Sequence, residues 1–153
     1  NSPMPTDKQI LGKSGEKIVT KHVSCPGCKR SHTLQPLVQN FKCLDVICDF
    51  CGYVGQVKTS KVSNINKLPN KISGAAWGPF KERMDAGRYF PLFIVLVDKK
   101  TPTKFAIYYL PADLQKPEMF IKRKPLSEKA DRAGWIGTDY NLSLVKDDIS
   151  RLV

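Results

Sequence analysis

The most regular hydrophobic pattern lies in the middle of the chain. Residues 92–97 form a continuous apolar run, which is typical of a strand that is covered on both faces. Residues 105–110 form a second apolar run and predict the next strand. Two more segments, residues 41–47 and 53–59, have strand-like composition, whereas residues 60–74 are rich in Lys, Asn and Ser and predict a loop.

Two segments have the pattern of helices, and the first lies near the start of the chain. Thr6 and Gln9 have the spacing of a capping box, which satisfies the free amide groups at a helix N-terminus. A helix that begins there could continue towards His22, although Gly12 and Gly15 interrupt its propensity. The sequence therefore predicts an N-terminal helix with two weak points.

The second helix is predicted between Pro79, which suits a first helical turn, and Gly87, which suits an end. Three apolar residues spaced by four form its buried face: Ala76, Phe80 and Met84. The order helix, strand, strand, helix, strand, strand predicts one mixed α/β domain. We expect a single domain over residues 1–153.

Composition agrees with a folded globular chain and adds a strong positive charge. The chain has 41% hydrophobic residues, and its 25 Lys and Arg against 14 Asp and Glu give a net charge of +11. Residues 1–75 hold 11 of these basic groups and only 4 of the acidic ones. This bias is expected of a protein that meets phosphates, but solvated lysines explain it equally well. The longest apolar run, residues 89–97, is far shorter than the ~20 residues of a membrane helix.

Four of the five cysteines form two C-x-x-C pairs, Cys25/Cys28 and Cys48/Cys51, with 19 residues between the pairs. This spacing is typical of a four-thiolate zinc site, which has no open coordination position and is therefore structural. A disulfide framework fits poorly with an odd fifth cysteine, Cys43, and a redox motif explains one pair only. The second pair lies between two predicted strands, so the metal would fix a hairpin.

The same two strands carry a candidate catalytic set. Gln56 and Lys58 lie on one face of their strand, and Asp45 can face the same space if the strands form a hairpin. Asp45 and the amide oxygen of Gln56 would bind a divalent ion, and Lys58 would orient or help to deprotonate water. Glu16 could add a second carboxylate. The pattern alone is weak, because a strand end and a solvated edge lysine also explain it.

A more specific motif lies near the C-terminus. The segments Arg123-Lys124-Pro125-Leu126 and 132–137, which reads RAGWIG, resemble a paired motif of the DpnI-like (Dam-replacing) restriction endonucleases. These enzymes are a branch of the PD-(D/E)xK nucleases, and the resemblance extends from about Gly15 to Leu144. It implies a PD-(D/E)xK restriction-endonuclease-like core with a four-cysteine zinc knuckle inserted at about residues 25–51.

The resemblance also implies functional roles. It aligns Asp45 and Lys58 with the family's catalytic aspartate and lysine, and Glu16 with an acidic residue on the helix before the first knuckle. The chain departs from the family at Gln56, where the family has Glu, and at Asp131, where it has Arg. A C-terminal winged-helix domain, which family members can carry, is expected to be absent.

The basic segment near this motif is expected to bind DNA. Its cationic residues cluster without strand periodicity, which favours contacts with the phosphate backbone: Lys122, Arg123, Lys124 and Arg132. Trp135 lies between glycines, and its indole could pack against a methyl group in the major groove; a buried indole that supports the loop is the competing interpretation.

Together these features predict a type II restriction endonuclease with structural Zn²⁺ and catalytic Mg²⁺. By resemblance, it would act on double-stranded DNA at adenine-methylated GATC-like sites, in the prokaryotic cytoplasm near the nucleoid. The sequence leaves open whether the protein is a monomer or a dimer on DNA. The alternative is a zinc-ribbon module that binds nucleic acid without catalysis, and a protein-interaction domain is a weaker third possibility.

Overall fold

The computed structural model describes residue 4, residues 6–38 and residues 41–153. It contains two α-helices: α1, Asp7–His22, and α2, Trp77–Asp85. It contains nine strands: β1, Leu34–Pro36; β2, Val46–Cys48; β3, Val54–Val62; β4, Lys71–Ala76; β5, Leu92–Asp98; β6, Phe105–Leu110; β7, Phe120–Lys122; β8, Gly137–Asn141; and β9, Ser150–Arg151. The mixed α/β class predicted from the sequence is confirmed.

The strands form two sheets. The larger sheet has the order β1-β2-β3-β5-β6-β9, and the smaller has the order β4-β8-β7. Strands β3 and β5 are parallel, whereas every other pair in both sheets is antiparallel. The connection between the parallel strands contains β4 and α2, as a parallel pair requires a long crossover. This crossover places the smaller sheet next to β3.

Strand β5 separates two apolar clusters. Alternate residues of a strand point to opposite faces, and all six residues from 92 to 97 are buried. One face contributes Leu92, Ile94 and Leu96 to a cluster that also contains Phe80 of α2 and Tyr140 of β8. The other contributes Phe93, Val95 and Val97 to a cluster that contains Val19 of α1 and two cysteines. The strand is covered on both faces, as its continuous apolar run predicts.

Helix α1 begins with the predicted capping box. The Thr6 hydroxyl accepts a hydrogen bond from the Gln9 amide at 3.2 Å, and the Gln9 side-chain oxygen accepts one from the Thr6 amide at 2.9 Å. The helix continues through both glycines to His22. The weak points that Gly12 and Gly15 create are overcome because α1 packs on the larger sheet through Val19, which is completely buried.

Helix α2 also agrees with its prediction. Pro79 lies in its first turn, Phe80 is buried, and Gly87 follows its end with a φ of +69°. A left-handed residue directly after a helix is a common termination, and glycine adopts it without steric cost. Neither helix in the described part of the chain combines the length and apolar character needed to span a membrane.

Two boundaries predicted from the sequence are wrong. Of residues 41–47, only Val46 and Ile47 belong to a strand. Residues 41–45 are irregular because Cys43 has a φ of +67°, which breaks an extended backbone. Residues 60–74 are not one loop, since β3 continues to Val62 and β4 begins at Lys71.

The smaller sheet was not predicted. Strand β7 has three residues, and β4 and β8 contain Gly74 and Gly137, which have low strand propensity. Tyr140 explains Gly74, because a Cβ at that position would lie 2.1 Å from the Tyr140 ring. Close packing between strands therefore selects a residue that looks like a loop in the sequence.

Candidate active site and cysteine cluster

The four cysteines of the two C-x-x-C pairs come together at one end of the larger sheet. The Sγ atoms of Cys25 and Cys51 are 3.6 Å apart, and those of Cys28 and Cys48 are 3.8 Å apart. All four sulfurs lie within 4.8 Å of one another. A tetrahedron with zinc–sulfur distances of about 2.3 Å has edges of about 3.8 Å. The cluster can therefore hold a metal ion, and its donor set suits zinc.

The β2–β3 hairpin presents the second pair of cysteines, as predicted. Val46 pairs with Gly55 and Ile47 pairs with Val54 in antiparallel register. The amide of Cys48 donates to the carbonyl of Tyr53 at 2.7 Å, which closes the turn that contains Cys51. The turn fixes two sulfurs relative to β3.

Strand β3 has an open edge where the short strand β2 ends. The amide of Gln56 donates to the carbonyl of Pro91, towards β5. Successive amides of a strand point to opposite edges, so the amide of Val57 points to the other edge. There it donates to Oδ2 of Asp45 at 2.7 Å. Asp45 thus takes the position that a partner strand would otherwise occupy.

A cleft of about 600 Å³ lies at this edge, between α1, β3, β4 and the segment that precedes β8. Six of the predicted site residues line it: Glu16, Asp45, Lys58, Arg123, Arg132 and Trp135. Helix α1 supplies Glu16, the residue before β2 is Asp45, β3 supplies Lys58, and the segment before β8 supplies the others. The fold therefore brings together residues more than 100 positions apart.

The carboxyl groups of Glu16 and Asp45 are neighbours in this cleft. Burial and the neighbouring Asp45 raise the pKa of Glu16 from 4.5 to about 7. Two neighbouring, partly buried carboxyl groups cannot both ionise at low cost unless a cation lies between them or beside them. The pair can share one proton, or it can bind a hard dication through oxygen atoms.

Lys58 is next to this pair. Burial lowers the pKa of the Lys58 ammonium, and the charges of Asp45, Cys43 and Glu16 oppose that shift. A partly desolvated ammonium beside carboxylates is held close to them and can donate to a bound anion or water. The arrangement of two carboxylates and one lysine is therefore suited to acid–base chemistry on a phosphate.

Gln56 occupies a different position. It lies on the same face of β3 as Lys58, but it is 5% exposed and is not among the described residues that line the cleft. Its Oε1 accepts a hydrogen bond from the hydroxyl of Tyr140 at 3.0 Å. An amide oxygen has two lone pairs, so one remains for a second partner. Its role as a ligand stays a prediction.

The basic segment divides into two parts. Arg123 and Arg132 line the cleft, whereas the exposed Lys122 and Lys124 are absent from the lining found among the described residues. Arg123 also approaches Asp139 of β8, with its Nε atom 3.5 Å from Oδ1. The partial neutralisation by Asp139 leaves Arg132 as the freer of the two arginines.

The side chain of Trp135 is held in a defined position at the edge of the cleft. A Cβ at Gly137 would lie 2.6 Å from the indole, so the ring packs directly over that glycine. The guanidinium of Arg132 lies 4.5 Å above the ring centre, in a cation–π contact. Backbone hydrogen bonds join Leu126 to both Gly134 and Trp135, which closes the loop at its base. The half-buried indole is thus both supported by the loop and accessible from the cleft.

Sequence analysis missed the contact that positions Glu16. A Cβ at Gly15 would lie 1.8 Å from Oγ1 of Thr59, so only glycine allows α1 to approach β3 this closely. Oγ1 of Thr59 is buried and has no hydrogen-bond partner among the described atoms. The signal in the sequence was a glycine in mid-helix with no role as a cap.

The resemblance found in the sequence motifs can be compared with a match of the whole chain to a family model. The model of the Dam-replacing family, DpnI, matches residues 5–150 of the 153. The chain belongs to the Dam-replacing family. The matched region includes all four clustered cysteines and every residue that lines the cleft. Membership in this family indicates a nuclease of the restriction type and implies that the chain binds DNA.

Proposed function

We propose that this chain is a metal-dependent type II restriction endonuclease with a PD-(D/E)xK catalytic arrangement. Residues 1–153 would form one nuclease domain that acts on double-stranded DNA in the prokaryotic cytoplasm, near the nucleoid. The observation that carries this proposal is the convergence of Glu16, Asp45 and Lys58 with Arg132 and Trp135 in one cleft. Carboxylates and a lysine suit phosphodiester hydrolysis, and the flanking cation and aromatic ring suit a nucleic acid.

The carboxylates of Asp45 and Glu16 would bind Mg²⁺. The proximity of the two groups supports this assignment, because their repulsion contributes to the raised pKa of Glu16 and a bound cation would relieve it. When bound, the ion would polarise the phosphate and stabilise the charge that develops on it. The amide oxygen of Gln56 would add a neutral ligand through its second lone pair, while Tyr140 holds the side chain.

Lys58 would orient the attacking water and assist its deprotonation. Its lowered pKa supports this role, since a less basic ammonium exchanges its proton more readily near neutral pH. Asp45 would keep the Lys58 side chain directed into the cleft. The amide of Val57 in turn fixes Asp45 through a hydrogen bond of 2.7 Å.

The cysteine cluster would bind structural Zn²⁺. Its four thiolates leave no position for water or substrate, so the ion would stabilise the hairpin rather than take part in hydrolysis. Asp45 directly precedes one arm of this hairpin, and Lys58 lies on the other. Zinc would therefore hold both catalytic groups in register.

The basic residues would contact the phosphate backbone of DNA, and Trp135 would contact a base. Arg123 and Arg132 would bind phosphates inside the cleft, and the exposed Lys122 and Lys124 would bind them beside it. A methyl group in the major groove offers no hydrogen bond and is recognised by apolar contact. The accessible indole of Trp135 would supply that contact at an adenine-methylated, GATC-like site.

The decisive experiment compares Dam-methylated and unmethylated plasmid with Mg²⁺ present and absent. We expect cleavage of the methylated plasmid only, and only with Mg²⁺. Lys58→Ala should abolish cleavage while zinc content and melting temperature remain close to those of the wild type. Lys104→Ala, which changes the same charge at an exposed position outside the cleft, is the matched control.

Two results would overturn parts of this proposal. If the protein binds duplex DNA with zinc present but never cleaves it, the chain is a zinc-dependent binding module. If both plasmids are cleaved equally, the nuclease assignment stands and the methylation requirement is wrong.

The role of Trp135 has its own test. Trp135→Ala should reduce the preference for methylated duplex more than it reduces overall affinity, and Trp135→Phe should retain part of the preference. An unchanged ratio of methylated to unmethylated binding would assign the indole to loop support alone.

A further inference from the structure

A second hollow, of about 390 Å³, opens beyond the end of β3. It is bounded by the end of that strand, the connection to β4 and the start of the turn after β5. Lys61 lines both this hollow and the catalytic cleft. The two concave surfaces therefore adjoin at Lys61.

The lining of the hollow is suited to a polyanion. Three lysines contribute to it: Lys61, Lys67 and Lys99. The other polar lining residues are neutral donors and acceptors: Ser63, Asn64 and Asn70. Within the described ranges, no acidic residue lines the hollow and none of the ion pairs involves these lysines. The positive charge is therefore available to a partner.

The loop that forms the hollow is held in place. Ile65 and Leu68 are 5% and 8% exposed and anchor the loop in the apolar cluster that contains Tyr140. The hydroxyl of Tyr108 donates to the carbonyl of Ile65 at 2.9 Å. The amide of Lys99 donates to the carbonyl of Val62 at 3.0 Å. Buried anchors on both sides give Lys67 and Lys99 a fixed backbone, which lowers the entropic cost of binding.

We infer, on the basis of the proposed function, that this hollow binds the phosphate backbone of duplex DNA outside the recognition site. A partner that enters the cleft can continue over Lys61 without leaving the positive surface. Lys67 and Lys99 would then contact phosphates in the flanking duplex. The interaction would add affinity for any sequence and would not contribute to the choice of site.

Strand geometry gives the approximate distance of these contacts from the scissile phosphate. Lys58 and Lys61 are three residues apart on β3, and a strand rises about 3.3 Å per residue, so they are separated by about 10 Å. DNA rises about 3.4 Å per base pair. The hollow would therefore contact phosphates that lie about three or more base pairs from the site of cleavage.

The test compares two duplexes that contain the same cleavable site. One ends about two base pairs beyond the site of cleavage on the side of the hollow and so stops before it, and the other extends about 12 base pairs on that side and crosses it. Binding is measured by fluorescence anisotropy as a function of salt, without added Mg²⁺. The variant is the double substitution Lys67→Ala and Lys99→Ala. The matched control is Lys100→Ala with Lys104→Ala, which removes two exposed lysines from the same turn but outside the hollow.

We expect the double variant to bind the long duplex on the order of tenfold more weakly and to lower its salt slope by about two. Binding of the short duplex and the control variant should match the wild type. Equal losses on both duplexes, or an unchanged slope on the long one, would overturn the assignment of the hollow. If the double variant binds the long duplex as tightly as the wild type does while the wild type cleaves plasmid, only the assignment of the hollow is wrong. If the wild type binds neither duplex, the proposed function is wrong as well.

Discussion

The cysteine cluster lies at the turn of the β2–β3 hairpin and the carboxylate pair lies at the open end of that hairpin, and the two sites are built differently. The cysteines come from two short segments, and their four sulfurs lie within 4.8 Å of one another. Glu16, Asp45 and Lys58 come from a helix, a strand connection and a strand, and they face an open cleft. A metal ion bound by the first set would have no position left for another ligand, whereas the second set lines a cleft with space for a substrate.

Because the two sites are built differently, different substitutions should impair them. A closed site depends on its own ligands, so the loss of one ligand should destabilise the whole hairpin. An open site depends on the packing that positions each element, so residues that never touch the substrate should matter as much as those that do. Four substitutions test this contrast.

The largest effect is expected from Cys48→Ser. Structural zinc can contribute about 10 kcal/mol of apparent binding free energy, so the loss of a ligand should lower the melting temperature, zinc content and cleavage together. Cys43→Ser, outside the cluster, should retain zinc and serves as the control. A Cys48→Ser protein that loses zinc yet keeps its stability and its cleavage would show that the cluster does not support the cleft.

Gly15→Ala tests the packing under the open site. The new Cβ would lie 1.8 Å from Oγ1 of Thr59, so α1 should move from β3 and displace Glu16, at a cost of about 1–3 kcal/mol in the free energy of unfolding. Chemical denaturation and Mg²⁺-dependent cleavage measure the two consequences.

Two controls accompany this substitution. Thr59→Ala in the same chain should restore part of both losses, because it removes Oγ1. Gly12→Ala on the same helix should be neutral or stabilising, since nothing lies within 4 Å of its Cβ position. Equal losses at Gly12 and Gly15 would mean that the contact with Thr59 does not decide the effect, since alanine favours a helix more than glycine does at both positions.

Gln56→Glu tests whether the open site lacks a ligand. The carboxylate would keep the hydrogen bond from Tyr140 and add charge near Asp45, so Mg²⁺-supported cleavage should be retained or increased. Gln56→Leu, which removes the oxygen but not the bulk, should reduce it. A loss for Gln56→Glu as large as that for Lys58→Ala would show that the amide itself is required.

The smallest effect concerns pH. The pKa of Glu16 is raised from 4.5 to about 7 in the folded protein, so between these values the folded state binds more protons than the unfolded state. Without Mg²⁺, stability should therefore fall as the pH rises through this interval. Glu16→Gln should flatten that fall in melting temperature, whereas Glu82→Gln, an exposed control on α2, should not. A wild-type profile as flat as that of Glu16→Gln would contradict the pKa shift.

The closed site could be predicted almost completely from the sequence because its chemistry is local. The spacing of the two C-x-x-C pairs identifies the four candidate ligands, and the hairpin between Val46 and Val54 follows from the strand pattern around the second pair. The apolar run from 92 to 97 similarly predicts a strand buried on both faces. Short-range patterns determine each of these features.

The open site could not be predicted from spacing alone. The proximity of Glu16 and Asp45 depends on a glycine contact between α1 and β3, and the entry of Arg132 and Trp135 depends on a sheet of short strands. The resemblance to a known family supplied these residues in advance. Their geometry, including the burial of Gln56 against Tyr140, required the fold.

Strand β5 has a consequence for the dynamics of the molecule. Its residues contribute to the clusters on both faces of the larger sheet, so neither cluster can open without exposing one side of it. Amide hydrogens in such a strand exchange with solvent only when the whole domain unfolds. We therefore expect the cysteine cluster and the cleft, which both adjoin β3, to unfold as one cooperative unit with β5, and the β5 amides to exchange most slowly of all.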